Sequence, residues 1–438
     1  MDRSSHDSPR VRQRWAAERD RALQLGDLIG LPLAIFALTY FLIAVQRVSW
    51  LRLNRPAAAL LGAVAMVTLG GLPLAEAYRA IDLDVLVFLL GLMLLVGHLE
   101  LGGFFEAAAD WLLARVGTPR ALLVAVVIGS GLLSALFVND TICLVITPVL
   151  LAALLPLGVR PTPYLIALAM GSNVGSALTI VGNPQNMLIG LWSGIGFARF
   201  ALRMLPAVAG GLALTCAILL WVFRRELAKP FGRVGRPADV PPLDRPLVAT
   251  ALVLFGVALI GWLLGASLPL TAIATGALML ALARREPGPA LAQVEWSLLL
   301  FFAALFVVMR GVERSGLVGL LNTPSAHAMA LGGRWTTALT VSGVMLVLSN
   351  LISNVPAVIL WRQVVPTLPN PALVWQVMAL SATFAGNLLL IGSMANLIVA
   401  ERAETRGVKI GYWEYARAGI PVTFATLAWG VAMLVLFS

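Results

Sequence analysis

One stretch constrains the fold more than any other, because Asp140 is the only charged residue between Arg120 and Arg160. Uncharged stretches of this length are typical of membrane segments. An ionisable residue inside such a stretch costs free energy in hydrocarbon, so it is by default a candidate functional residue. From this stretch alone an alternative stays open, in which Asp140 caps the second of two ordinary helices and faces water at a short surface loop.

The composition excludes an ordinary soluble domain. The chain has 438 residues, of which 60% are hydrophobic and 12% charged, and its mean hydropathy is +0.91. These values predict an all-α polytopic membrane protein. The net charge of +10 comes from basic residues between apolar runs, where they set orientation, so we expect no nucleic-acid partner. Cys143 and Cys216 both lie in apolar runs and give no disulfide or metal-ligand pattern, and we expect neither a metal nor a cofactor.

The order of apolar runs predicts two halves. Residues 1–26 form a polar tail without the features of a cleavable signal peptide, either solvated or lying on the membrane as a helix. The loop 224–245 is rich in basic residues and proline, and we interpret it as a linker between the halves 27–223 and 246–438. Spanning runs lie at about 27–45, 56–75, 82–103, 163–193 and 205–223, and then at about 246–265, 268–283, 294–310, 371–400 and 418–437.

Short strings in the two halves match in order, which predicts an internal duplication. Gly182-Asn-Pro-Gln-Asn186 matches Gly392-Ser-Met-Ala-Asn396, the string 196–206 matches 411–421, and Asn139 matches Asn354. An odd number of spans per half turns the second repeat upside down, as in many secondary transporters. Chance similarity between short glycine-rich strings is the alternative.

Basic residues also predict the orientation. They concentrate in the loops 46–55, 114–120, 158–162, 224–245, 284–290 and 401–417, which fall on one side if the spans alternate. That side is predicted to be cytoplasmic, in the inner (plasma) membrane of the cell. The same parity puts both termini outside, which conflicts with the arginines of the 1–26 tail.

Each half is expected to contain a re-entrant helical hairpin. The residues between Arg334 and Arg362 are uncharged but too few for two full spans, and Ser353 and Asn354 are polar residues within them. A hairpin over about 335–370 with its polar tip inside the membrane fits this length. By the duplication, the matching hairpin covers about 121–159, and its tip holds Asn139, Asp140 and Thr141.

A long apolar helix interrupted by glycine and small polar residues follows each hairpin. Such residues unwind a helix, so that freed backbone groups can coordinate an ion or a polar solute at the membrane midplane. Close packing of helices explains single glycines but not the clustered asparagines. The candidate binding residues at the breaks are Ser172, Asn173, Gly182, Asn183 and Asn186, and then Asn387, Gly392, Ser393 and Asn396.

At these strings the chain resembles the ion-transporter superfamily, in its branch of arsenite permeases, NhaD-type sodium/proton antiporters and plant silicon efflux transporters. The resemblance rests on the strings 134–141, 172–176 with 182–186, 353–356, and 385–387 with 392–396. The resemblance implies a scaffold and a mobile transport domain, usually in a homodimer, that work by an elevator motion. The tips depart from the Ser-Asn-Thr motif of sodium/dicarboxylate symporters, since they read Asn139-Asp-Thr141 and Ser353-Asn-Val355.

The leading hypothesis for function is a secondary active transporter that expels a small inorganic solute, such as arsenite or silicic acid, in exchange for protons. Asp140 is the expected proton carrier, since a carboxylate away from water gains affinity for protons. The alternatives are a sodium-coupled anion symporter, of dicarboxylate or sulfate type, and a sodium/proton antiporter, while a passive channel also stays open. An enzyme is not expected, because His6, His98 and His327 lie outside the polar clusters and Asp140 has no acidic neighbour in sequence.

Overall fold

The computed structural model describes residues 30–43, 53–228, 242–316 and 332–437. Within these ranges the chain is helical and forms no strand. The predicted tail 1–26 lies outside the described residues, and so does most of the predicted linker, over 229–241.

Helices α1 to α10 precede the linker and α11 to α19 follow it, as far as the chain is described. The first group is α1 Gly30–Ile43, α2 Arg55–Thr68, α3 Leu74–Ala80, α4 Leu83–Leu101, α5 Phe104–Leu113, α6 Pro119–Leu136, α7 Asn139–Leu154, α8 Thr162–Ser176, α9 Pro184–Ser193 and α10 Phe197–Val222. The second group is α11 Arg245–Leu263, α12 Leu268–Leu282, α13 Pro287–Ala292, α14 Trp296–Arg314, α15 Arg334–Ile352, α16 Asn354–Trp361, α17 Pro371–Ala385, α18 Met394–Glu404 and α19 Tyr412–Leu436.

Eight helices of the described chain are long and apolar enough to cross a membrane, so the protein is an integral, multi-pass membrane protein. Most predicted runs contain a helix, but the bounds differ: the run 56–75 holds α2 only as far as Thr68, and charged residues continue other helices beyond their runs. Helix α10 begins at Phe197 rather than near residue 205, because Arg199 and Arg203 lie in its first turns. Arginine can extend its charged end to the interface while its stem stays on apolar surface, so a helix outlasts its uncharged run.

Local signals fix where the functional helices begin. Thr118 caps α6, where its hydroxyl accepts a hydrogen bond from the Ala121 amide at 3.2 Å, and Pro119 takes the first helical position. Asn183 caps α9 in the same manner, and Pro184 follows it. Proline suits this position because its missing N–H would have no partner there.

The chain divides into two compact units. The first comprises Met1–Asp82 and Trp296–Pro324, and in it α2 packs on α14. The second comprises Leu83–Glu295 and Ser325–Ser438 and contains both hairpins, and in it α4 packs on α12. Helix α6 lies close against α8 in this unit, since a Cβ at Gly175 would stand 2.1 Å from the carbonyl oxygen of Gly131.

The helices of the second unit recur in the same order before and after the linker. The series α6 to α10 has two hairpin arms, a helix, a short helix and a long helix with an internal proline, Pro206, and the series α15 to α19 repeats it with Pro421. The packing exchanges in the same way. Helix α8 contacts α18 while α9 contacts α17, and α7 contacts α18 while α16 contacts α9.

Candidate solute site at the hairpin tips and helix breaks

The tip of the first hairpin is a two-residue turn between α6 and α7. Phe137 and Val138 form the turn, and α7 begins at Asn139, which is 6% exposed. Asp140 and Thr141 follow in the first turn of α7 and are partly exposed. The carboxylate at this tip is therefore not fully enclosed by protein.

The tip of the second hairpin is tighter, because a single residue joins α15 to α16. Ser353 is exposed and has φ +74° and ψ 162°, a conformation that glycine tolerates and serine rarely adopts. Such a conformation costs about 1–3 kcal/mol and is often found at functional sites. Asn354 begins α16 and is half-buried.

The two helix breaks lie where the sequence predicts them. Helix α8 ends at Ser176 and α9 begins at Pro184, with a 3-10 turn over Ile180–Gly182 between them. Glycine is required at Gly182, because a Cβ there would stand 2.0 Å from the carbonyl oxygen of Ser176. The second break, between α17 and α18, has its 3-10 turn over Leu390–Gly392.

Side-chain amides satisfy the carbonyls that the breaks release. Asn186 Nδ2 donates to the carbonyl oxygens of Ser176, Ala177 and Thr179 at 3.3, 3.4 and 2.9 Å. Asn396 Nδ2 donates in the same manner to Gly386 at 2.7 Å and Leu389 at 3.2 Å. The sequence predicted that carbonyls at the breaks would be free to coordinate an ion or a solute. In this structure they accept hydrogen bonds from side chains of the protein instead.

Asn173 near the end of α8 joins the first tip to the second break. Its Oδ1 accepts from Asn139 Nδ2 at 3.1 Å and from Ser393 Oγ at 3.0 Å. Its Nδ2 donates to Asn387 Oδ1 at 2.9 Å and to Asn396 Oδ1 at 3.0 Å. All five residues are at least 94% buried, so this network is an enclosed polar cluster.

A second network joins the first break to α17. Asn183 Nδ2 donates to Ser176 Oγ at 3.0 Å and to Thr383 Oγ1 at 3.2 Å. Gln185 Nε2 also donates to Thr383 Oγ1, at 3.2 Å. All four residues are nearly or fully buried.

The first tip is tied to α8 by hydroxyl groups. Ser172 Oγ lies 2.8 Å from Ser134 Oγ and donates to the carbonyl oxygen of Asn139 at 3.2 Å. The Cys143 thiol, one turn after the tip, also interacts with Ser172. Helix α19 also lies close to the second break, since a Cβ at Gly419 would stand 2.3 Å from the carbonyl oxygen of Asn387.

The structure thus brings most of the predicted residues together. The first network contains Asn139, Asn173, Asn387, Ser393 and Asn396, and Ser172 joins it through the carbonyl oxygen of Asn139. At the first break the Asn186 amide donates to Asn183 Oδ1. Gly182 and Gly392 end the two 3-10 turns. Asp140 and Thr141 lie in the first turn of α7 at the first tip, and Ser353 and Asn354 form the second tip. Gln185, which the sequence analysis did not single out, lies inside the string 182–186 that it did recognise.

The hydrogen bonds of both networks are made by amides, hydroxyls and backbone, and no Lys or Arg of the described chain takes part in them. No group of His, Cys, Asp or Glu within the described ranges has the arrangement of a metal site. The polar groups that form these hydrogen bonds are therefore uncharged.

Comparison with known proteins identifies the family. The sequence profile of the citrate transporter family matches residues 40–384. The chain belongs to this family. The resemblance to the ion-transporter superfamily is thereby confirmed, and the protein is a secondary transporter of a small solute rather than an enzyme.

Relatives of this citrate transporter family member cover nearly all of the chain. The silicon efflux transporter LSI3 of Oryza sativa subsp. japonica is 31% identical over an alignment 467 positions long, which covers 91% of this chain and 96% of the relative. The putative transporter arsB of Dictyostelium discoideum is 23% identical and covers 88% of each chain.

Solved structures show the same fold at low identity. The YdaH transporter of Alcanivorax borkumensis superposes with a TM-score of 0.57 at 16% identity, over 94% of this chain and 97% of that one. MtrF of Neisseria gonorrhoeae gives 0.54 at 12% identity, over 94% of each chain.

Proposed function

We propose that the protein expels a small neutral inorganic hydroxide, of the arsenite or silicic acid type, in exchange for protons. The observation that carries this proposal is the chemistry of the enclosed cluster around Asn173, whose groups are uncharged. The similarity to the silicon efflux transporter LSI3 and to the putative transporter arsB supports such a solute.

A neutral hydroxide fits the cluster better than a multivalent anion does. Burial of an anion costs free energy unless cationic groups or several hydrogen-bond donors compensate, and arginine is the usual partner. Here the donors of Asn173, Asn186 and Asn396 are already engaged with protein oxygens. An ionised Asp140 at the first tip would also repel an anion.

Protons rather than sodium are the proposed coupling ions. In related architectures the unwound carbonyls coordinate sodium. In this chain the amides of Asn186 and Asn396 donate hydrogen bonds to those carbonyls, which leaves fewer free oxygens to coordinate a cation. Asp140 lies at the tip, partly exposed, where a carboxylate can exchange protons with water. We assign proton transfer to it.

The transport motion is proposed to be that of an elevator with two inverted repeats, 27–223 and 246–438. The recurring helix order and the exchanged packing of α8, α9, α17 and α18 support the duplication. The first tip and both breaks are joined by hydrogen bonds within one unit, so they would move as one body. A homodimer in the plasma membrane follows from the resemblance alone.

A second candidate is a sodium-coupled anion symporter, because the family is named for citrate transport. The test is uptake into inverted vesicles that contain the purified protein, driven by a pH jump or a sodium jump. We expect arsenous or silicic acid to accumulate with the pH jump. Accumulation of citrate or sulfate with the sodium jump would favour the symporter instead.

A further inference from the structure

An apolar cavity lies beside the first hairpin and shares no lining residue with either hydrogen-bond network. Its volume is about 560 Å³, and helices α5, α6, α7 and α8 contribute to its walls. Trp111 of α5 and Leu132 of α6 both line it and are both 58% exposed, so the cavity is open at the protein surface. Because α6 and α7 are long and apolar enough to cross a membrane, this opening would face hydrocarbon.

The lining of this cavity favours an apolar occupant. Its walls consist of alanine, leucine and other apolar residues, together with Ser130. The hydroxyl of Ser130 already donates to the carbonyl oxygen of Val127 at 3.2 Å, and the acidic residues of α5, Glu106 and Asp110, do not line the cavity. A polar solute would therefore lose its hydrogen bonds to water here, whereas apolar cavities bind apolar ligands. The volume lies within the range of about 300–1,000 Å³ that is typical of ligand pockets.

The cavity is a furrow that follows one arm of the first hairpin. Its lining extends along α5 from Phe104 to Trp111, a rise of about 10 Å. At one end the ring of Phe104 lies 6.2 Å from that of Phe137, in the turn of the first tip. Towards the other end α5 lies close to α6, since a Cβ at Gly129 would stand 3.1 Å from Leu112 Cδ2. This elongated shape suits a hydrocarbon chain, and the acyl chain of a lipid is the apolar molecule that a bilayer supplies.

An arginine lies at the end of the furrow that is farther from the tip. The guanidinium carbon of Arg115 lies 3.9 Å from the ring centroid of Trp111, and its Nη1 donates to the Trp111 carbonyl oxygen at 3.0 Å. Both side chains are exposed. Tryptophan is enriched where hydrocarbon meets water, and arginine extends its charge to the headgroups from such a position. The arginine therefore complements a negatively charged headgroup at the entrance of an apolar furrow.

We propose that this furrow binds one acyl chain of an anionic phospholipid, with the chain between α5 and α6 and the headgroup at Arg115. The lipid is a ligand in addition to the transported solute, and its site is independent of the solute site. Since α6 is an arm of the first hairpin, the bound chain packs on the element that leads to Asn139 and Asp140.

The test measures lipid binding to the full chain. The protein is purified in detergent, stripped of lipid and titrated with phosphatidylglycerol or with phosphatidylcholine of the same acyl chains, and native mass spectrometry counts the bound lipids. We expect one tightly bound phosphatidylglycerol for each protomer. Its half-saturation should come at about one fifth of the concentration that phosphatidylcholine needs, because one arginine near an anionic headgroup contributes about fivefold in affinity.

A pair of substitutions on α6 tests the position of the acyl chain. Ala125 lines the furrow, whereas Ala121 lies one turn earlier on the same helix, is exposed and does not line it. Ala125→Phe should need about tenfold more of either lipid, because each methylene group kept out of the furrow costs about fourfold in affinity. Ala121→Phe should bind both lipids as the wild type does. Should Ala125→Phe not fold, Ala108→Phe fills the furrow from α5 with the same expected loss.

A second pair tests the position of the headgroup. Arg115→Gln should bind the two lipids equally, while Arg120→Gln, at an exposed position in the first turn of α6, should keep the preference for phosphatidylglycerol. An unchanged preference in Arg115→Gln would overturn the inference. So would wild-type affinity in the variant that fills the furrow, equal binding of both lipids by the wild type, or no bound lipid at all.

Discussion

Replacing Asn396 with alanine tests whether side-chain amides hold the helix breaks together. The substitution removes the donor to the carbonyl oxygens of Gly386 and Leu389 and one acceptor of Asn173 Nδ2. Each buried group left without a partner costs about 1–3 kcal/mol. The Leu389 carbonyl keeps a hydrogen bond from the Gly392 amide, and Asn173 Nδ2 keeps one of its two acceptors, Asn387. The Gly386 carbonyl and one amide hydrogen of Asn173 are then left without partners, and we expect a loss of about 2–6 kcal/mol.

The assay is thermal unfolding of the purified protein in detergent, followed by the intrinsic fluorescence of tryptophan. The matched control is Leu397→Ala, a truncation one position along the same helix at a partly exposed residue, where no hydrogen bond is lost. We expect Asn396→Ala to lower the Tm clearly more than the control does. Equal or smaller destabilisation by Asn396→Ala would refute the reasoning that the Gly386 carbonyl and the Asn173 amide depend on Asn396.

Three further results are expected. Ser353→Gly should raise the Tm, because glycine relieves the left-handed strain of about 1–3 kcal/mol; an unchanged or lower Tm would count against strain at the tip. Burial raises the pKa of Glu106 from 4.5, so the folded state binds the extra proton and stability falls as pH rises from the unfolded value through the folded one. Glu106→Gln should therefore reduce the fall of Tm with rising pH, measured between pH 4 and 8. An unchanged pH dependence of Tm would show that other groups cause it. Cysteines at Gly235 and Gly407 should both react with an impermeant reagent from the cytoplasmic side, and labelling from opposite sides would contradict the proposed topology.

The sequence predicted those features that depend on local chemistry. The breaks were predictable because Gly182 and Pro184 interrupt an apolar run, and the second tip because Ser353 and Asn354 lie within a stretch too short for two spans. The start of α10 was not predictable, because an uncharged run marks only the part of a helix that lies in hydrocarbon and not the full length of the helix.

The hydrogen-bond partners of the site residues could not be predicted from the sequence. Asn173 bonds to Asn387 and Asn396, which are more than 200 residues away, and only the folded chain decides which of several asparagines meet. The engagement of the break carbonyls by Asn186 depends on the same tertiary placement.

Asn139→Ala and Asn354→Ala provide a check on the paired tips. Both variants should fold and insert but lose solute transport, because each removes an amide at a matched tip. Transport is measured as counterflow of radiolabelled arsenous acid in vesicles. Wild-type rates in both variants would remove the two tips from the solute site.

The most direct test of the central claim is Asp140→Asn, compared with the wild type in inverted vesicles. If Asp140 carries the proton and neutral groups bind the solute, the variant should still exchange solute across the membrane. It should no longer accumulate solute when a pH gradient is imposed. If Asp140→Asn keeps its pH-driven accumulation, another residue carries the proton and the central claim is wrong.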